Sequence, residues 1–194
     1  MSAVRIAVLI SGSGSNMSAI AEHLADRDDI EIGIVLSDRP DVTGLDRARA
    51  AGLPTEVVDW RSFAGRSAFT AAVCDAVEAQ GCTFMVLAGF MRILAPEAVE
   101  RFPGRILNIH PSLLPSFPGA HAVDEALAHG VKVTGVTIHV VDELVDNGPI
   151  LAQHPVEVLD GDDVDTLHAR IQAVEHRLYP RVVADFVLGR LEQR

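Results

Sequence analysis

The sequence predicts an α/β fold: a mostly parallel sheet with helices on both faces, partly antiparallel in its C-terminal part and followed by a long C-terminal helix. Three observations predict it. From Val4 to His110, short and nearly continuous apolar runs alternate with helical patterns, as expected for strands buried on both faces. Several of these runs end at glycine or serine. Beyond Gly130 the style changes, because two strand-like runs follow each other with only a loop between them. The 194 residues suffice for one such domain with a sizeable core and are short for two, so a single domain over 1–194 is expected.

The elements follow in order. "VRIAVLI" is β-like and stops at Ser11-Gly12, and a helix is expected from Ser15 to about Ala25. "DIEIGIVLS" reads as the second strand. "VTGLDRARAAGL" is a short helix stopped by Gly52, and "PTEVVD" a third strand. Gly65 to Gly81 carries apolar residues at helical spacing: Phe69, Val73, Ala76 and Val77. "TFMVLAG" and "GRILNIH" are the fourth and fifth strands, and a helix around Ala122 to His129 comes next. "VKVTGVTIHVV" alternates, and with "GPILAQHPVEV" it suggests an antiparallel pair. An amphipathic helix from about Asp163 to Leu191 ends the chain. Its acidic start, "DGDDVDT", suits a helix N-terminus and lacks the glycine and glutamate of a calcium loop.

Composition removes several classes. Hydrophobic residues make up 48%, too many for a disordered chain, and no apolar run reaches the ~20 residues of a membrane helix. The N-terminal stretch lacks the basic start and cleavage site of a signal peptide, so a cytoplasmic location is expected. Cys74 and Cys82 do not make a disulfide framework. A net charge of −11 without a Lys/Arg cluster argues against nucleic acid as partner. It leaves room for a small phosphorylated ligand held by backbone N–H groups.

Such a ligand fits "SGSGSN", Ser11 to Asn16, where a strand meets a helix N-terminus. The loop is not a P-loop, having no Lys-Ser/Thr pair, and Met17 stands where a dinucleotide fingerprint needs glycine. Asp38, at the end of the second strand, occupies the place of a ribose-binding acid. The simpler alternative is a tight turn capped by Ser15 or Asn16.

A second polar group lies around Asn108 and His110, at the C-terminal end of the fifth strand, where open α/β sheets place ligands. At period two both side chains face the same side. The loop "HVVDELVDNGPI" brings a carboxylate, Asp146. Each has a structural alternative: a strand end, a turn, a satisfied backbone group. Zinc on His110, His139 and Asp146 lacks any close-spaced ligand pair, so no metal is expected. No GxSxG nucleophile elbow is present and neither cysteine ends a strand, which disfavours covalent acyl transfer. A carboxamide, an imidazolium and a carboxylate suit direct attack on a carbonyl. Asn108 and protonated His110 would donate to the oxyanion, and Asp146 would keep the imidazole charged and relay a proton.

"VLISGSGSN", "VLAGFMRIL", "LNIHPSLLPSFPGAH", "DELVDNGPI" and "RIQAVEHRLYP", in this order, resemble the glycinamide ribonucleotide formyltransferases, folate-dependent enzymes of purine biosynthesis. The likeness covers nearly the whole chain. It implies a Rossmann-like nucleotide half (about 1–100) and a folate-binding, catalytic half (about 101–194). The implied reaction is transfer of the formyl group of 10-formyltetrahydrofolate to the amine of glycinamide ribonucleotide. Asn108, His110 and Asp146 match the family's catalytic trio. Gly14, Ser15 and Asn16 match its phosphate loop, and Gln172 and Glu175 the positions touching the sugar and glycinamide end. Met91, Arg92, Ile93 and Leu94 match a wall of the folate pocket. Asp142, Glu143, Leu144, Val145 and Asp146 match its mobile loop, and Arg66 falls where an arginine helps bind folate. Where Asp-Gly-Gly is expected, this chain has Asp146-Asn147-Gly148, with Asn147 tolerating a left-handed backbone. His139 and the pair Asp142–Glu143 read as mainly structural. The resemblance implies small-molecule partners and allows a homodimer.

Formyltetrahydrofolate hydrolases resemble the chain but usually carry an extra N-terminal domain. Methionyl-tRNA formyltransferases add a tRNA-binding domain, and sugar-nucleotide formyltransferases are usually longer. A non-catalytic nucleotide-binding module would use the same first loop.

Overall fold

The computed structural model describes residues 3–191. Seven strands, β1 (Val4–Ile10), β2 (Ile30–Ser37), β3 (Thr55–Val57), β4 (Phe84–Leu87), β5 (Ile106–His110), β6 (Val133–Val140) and β7 (Ile150–Glu157), form one sheet ordered β3-β2-β1-β4-β5-β6-β7. Pairing is parallel from β3 to β5, then antiparallel for β5–β6 and β6–β7. The helices are α1 (Ser15–Leu24), α2 (Thr43–Ala50), α3 (Arg66–Ala79), α4 (Pro96–Arg101), α5 (Ala122–His129) and α6 (Val164–Val187). Among the described residues no helix is long and apolar enough to cross a membrane.

Strand β1 explains the layering. Ile6, Val8 and Ile10 join a core cluster with α1, α2, α5 and α6, whereas Ala7 and Leu9 join a second cluster with α3 and α4. Alternate side chains thus enter opposite layers, and the strand must be apolar throughout.

Two expectations change. Helix α4 escapes the apolar pattern because it is six residues long, but Pro96 opens it in the first-turn position that tolerates a missing N–H. The alternating strand β6 is buried on both faces, from Thr134 to Val140. Thr137 Oγ1 donates to Ser112 O (2.7 Å) and accepts from Leu114 N (3.0 Å), pinning the proline-rich loop onto the strand. Helices α1 and α6 end at Leu24 and Val187, short of the expected Ala25 and Leu191.

Helix α6 starts with a reciprocal cap. Thr166 N donates to Asp163 Oδ1 (2.8 Å) and Asp163 N to Thr166 Oγ1 (3.0 Å), while Asp162 pairs with Arg170 at 2.7 Å. Fully buried Tyr179 donates from its hydroxyl to Leu87 O (2.9 Å) and Leu107 O (3.3 Å), fastening α6 to β4 and β5. Tyr179→Phe leaves two buried carbonyls without this donor and is expected to cost about 1–3 kcal/mol in urea unfolding. An unchanged midpoint would remove the hydroxyl from this role.

Candidate active site

Strand order reverses between β1 and β4, and ligands of open α/β sheets bind outside the strand ends at such a point. The loops leaving these strands are tied together. Ser11 N donates to Gly89 O (3.2 Å), and Met91 N donates to Ser11 Oγ (2.8 Å).

The first loop, 11–16, ends in Gly14, left-handed at φ 71°. A Cβ on Gly14 would stand 2.7 Å from Gly44 Cα, so glycine is needed for both its backbone angle and this approach to α2. Gly44 N donates to Gly12 O (3.1 Å), bracing the loop from α2. Neither Ser15 nor Asn16 caps the helix: Gly14 is the N-cap and no side chain bonds the first turn. That leaves the first N–H groups of α1 for an anion. Asn16 turns inward, its Nδ2 donating to Glu175 Oε2 (2.8 Å). Burial pushes the Glu175 carboxyl above the ordinary range, and the Asn16 contact offsets part of that. Because the folded value lies above the unfolded one, this group's favourable contribution is full at low pH and lost as pH rises through the folded value. Asn16→Ala removes the donor, and we expect a cost of about 1–3 kcal/mol, larger at neutral pH than at pH ~4. Equal losses at both pH values would contradict this. Half-buried Gln172 lies one turn before Glu175 on α6.

The second group lies across the sheet edge. Asn108 pairs with Leu87 on β4 and with His139 on β6, and His110 pairs with Thr137. Asp146 arrives on the 141–149 loop. Its Oδ2 accepts from Gly119 N (2.8 Å) and stands 3.4 Å from His110 Nδ1, and its Oδ1 is 3.4 Å from Asn108 Nδ2. His110 Nε2–H donates to Phe117 O (2.8 Å). The imidazole is therefore held between a carbonyl and a carboxylate. Phe117 and Asp146, which supply those oxygens, are the two non-glycine residues with positive φ among the described ones, at 53° and 51°. The left-handed residue of the loop is thus Asp146, not Asn147; the Asn147 amide donates to Asp142 Oδ2 (3.0 Å). Asp142 also accepts from Leu144 N (2.9 Å), so it organises the loop.

His139 is closer to the chemistry than the sequence reading allowed. Its Nδ1–H donates to Val140 O (3.1 Å), and its Nε2 lies 3.2 Å from Asn108 Nδ2 and 3.6 Å from Asp146 Oδ1. Its only sequence signal was position: in the antiparallel register it faces Asn108.

Burial raises the Asp146 carboxyl, but the His139 ring, the Gly119 N–H and the charge of His110 outweigh it and hold the group below its ordinary 3.8. Asp146 thus contributes stability that is present above the unfolded value and lost as pH falls through the lower folded one. Acid unfolding of Asp146→Asn, followed by circular dichroism, is expected to be shallower than that of the parent below pH ~4. A parallel acid limb would count against the ionised form.

These side chains border a cavity of about 330 Å³, within the size range of small-molecule sites. Met91, Arg92, Ile93 and Leu94 form one wall, and Asp142 to Asp146 another. Met91 and Leu144 are 66% and 64% exposed, so an apolar rim faces solvent. Asp38 is fully buried: Arg92 Nε donates to its Oδ2 (2.7 Å), with the guanidinium stacked 4.1 Å over Trp60. It fixes the Arg92 wall, and its Oδ1 lies 3.5 Å from Arg39 Nε, so the carboxylate is shut off from the cavity by burial and ion pairing. Arg66, exposed at the start of α3, is not part of the cavity lining. The buried Cys74 thiol is pushed up to about 11 by burial, unlike a nucleophile. Among the described residues no group of three or more His, Cys, Asp or Glu is placed to hold a metal ion.

Residues 4–183 match the family model described as formyl transferase. The structure of glycinamide ribonucleotide transformylase 1 from Symbiobacterium toebii superposes with a TM-score of 0.95, at 47% identity, over 99% of this chain and 91% of that one. Phosphoribosylglycinamide formyltransferase of Mycobacterium tuberculosis (strain H37Rv) is 46% identical over 93% of this chain and 83% of its own length. The trifunctional purine biosynthetic protein adenosine-3 of Bos taurus is 45% identical over 91% of this chain, which spans 18% of that longer protein.

Proposed function

This chain belongs to the formyl transferase family, and from that premise we propose that it transfers the formyl group of 10-formyltetrahydrofolate to the amine of glycinamide ribonucleotide in purine biosynthesis. The names of its relatives support the reaction. The observation that carries it is the convergence of Asn108, His110 and Asp146 within 3.4 Å contacts at the rim of an apolar cavity.

The cavity takes the folate, with the 91–94 wall and the 142–146 loop on either side. The ribonucleotide phosphate sits on Gly14, Ser15 and Asn16, and its glycinamide end runs toward Gln172 and Glu175. Residues 1–100 are thus the nucleotide half and 101–194 the folate half, although α6 reaches back to complete the ribonucleotide subsite. The amine attacks the formyl carbon and the carbonyl electrons move to oxygen. Asn108 Nδ2–H donates to that oxyanion. So does His110 Nδ1–H: its 3.4 Å separation from Asp146 exceeds the ~2.8 Å of a strong charged hydrogen bond, so the proton is free to be shared. Asp146 holds the imidazolium and, directly or through water, carries a proton from the attacking amine to the folate nitrogen; the oxyanion then re-forms the carbonyl as the bond from the formyl carbon to that nitrogen breaks. No metal takes part.

The test is to supply purified protein with both substrates. Formyl transfer to the ribonucleotide is expected; formate release would indicate a hydrolase, and no turnover a binding module. Asn16→Ala should raise the ribonucleotide KM more than the folate KM, and the reverse order would misplace the phosphate.

A further inference from the structure

A second cavity, of about 510 Å³, lies between α1 and α6, borders Arg47 of α2, and touches the first loop only at Ser15. Its charge is unlike that of the rest of the chain. The protein has 16 Lys and Arg against 27 Asp and Glu, yet this groove gathers Arg47, Arg177 and Arg181 with a single acid, Glu22. Among the described residues none of the three arginines has an ion-pair partner. Arg177 donates from Nε only to Ala173 O (3.2 Å), and Asp185, the acid one turn beyond Arg181, pairs with Arg190 instead. Arg177 and Arg181 are one helical turn apart, an arrangement of like charges that weakens a helix unless an anion lies between them. His176, which also lines the groove, has a buried Nε2 with no hydrogen-bond partner.

We propose that this groove is a second anion site, taking a small molecule that carries a diphosphate. The cations come from two elements, Arg47 on α2 and Arg177 and Arg181 on α6, so an anion with two phosphates engages both where one phosphate engages a single wall. The volume exceeds what an inorganic ion fills and lies within the range of small-molecule sites. The lining has no Phe, Tyr or Trp, its rings being the small imidazoles of His23 and His176 and its apolar members Ala19 and Pro180, so it offers no broad base-stacking platform and suits a phosphorylated sugar better than a nucleotide.

Isothermal titration with inorganic pyrophosphate tests the site on the parent chain and on an Arg177→Gln/Arg181→Gln variant. Both residues are exposed and outside the substrate machinery, so the variant should fold and keep its formyl-transfer rate. The parent is expected to bind one pyrophosphate, more weakly at higher salt, and the variant at least ~10-fold more weakly. Equal binding by both proteins would place the anion at the 11–16 loop and overturn the proposal, as would no binding by the parent. A variant that loses turnover along with pyrophosphate binding would make the groove part of the substrate site, which also overturns it. Transfer activity is read separately, so failure of the groove and failure of the proposed reaction are distinguishable.

Discussion

Asp146→Asn is expected to lower turnover by about 10²–10⁴-fold with substrate binding and fold retained. The amide matches the carboxylate in size and keeps an oxygen for Gly119 N, which now donates to Asp146 Oδ2 at 2.8 Å. It cannot carry a negative charge opposite His110 Nδ1 or accept a proton from the attacking amine. The sign with pH is definite. The Asp146 carboxyl lies below its ordinary value, so ionised Asp146 persists into mildly acidic solution and its contribution fails only as pH falls through that lowered value. Steady-state rates with both substrates check this, with circular dichroism as the control for folding. Turnover within about threefold of the parent would remove the carboxylate from the reaction. His110→Ala should be comparably slow, and substantial residual activity would mean that another group stabilises the oxyanion.

Gly148→Ala is expected to disable the site without touching any of the reacting side chains. A Cβ at this position would lie 1.9 Å from Val140 O and 3.0 Å from Val140 C. Both atoms are backbone of a buried strand, so the 141–149 loop must move. Asp146 moves with it, and its contacts to Asn108, His110 and Gly119 are lost together. A displacement of about 1 Å at a reacting group costs on the order of 10²-fold in rate, and kcat should fall by at least that. The ribonucleotide KM should change little, because the 11–16 loop is braced by Gly44, Gly89 and Met91 and not by this segment. A variant with parental kcat would show that the loop position is not what sets the rate. A variant whose ribonucleotide KM rises while kcat holds would exchange the roles of the two loops.

Much of the fold was legible because strands such as β1 and β4 are buried on both faces and must be apolar along their whole length. The C-terminal antiparallel pair was legible from spacing, since a short connection cannot make a crossover. Helix α4 was not, because six residues are too few for a periodic pattern to emerge. The full burial of β6 was not legible either, because Thr134, Thr137 and His139 are covered by distant segments, Thr137 by the proline-rich loop, which no local pattern records. At the site, Asn108 and His110 were legible from their period-two spacing at a strand end. The place of His139 depends on the β5–β6 register, and the pairing of Asp38 with Arg92 joins residues 54 apart. The Asn16–Glu175 bond spans 159 residues.

By itself, then, the sequence determined the order of the strands and of the longer helices, the glycine-rich turn of the first loop and the chemical types at the sheet edge, because each is written in neighbours a few residues apart. Only the tertiary structure decided which of those groups meet. It turned Asp38 from a ligand acid into a buried ion-pair partner, drew His139 beside Asn108, and set Asp146 against His110 through a left-handed loop residue. The physical reason is that register, loop path and burial are collective properties, fixed by the packing of distant segments against one sheet.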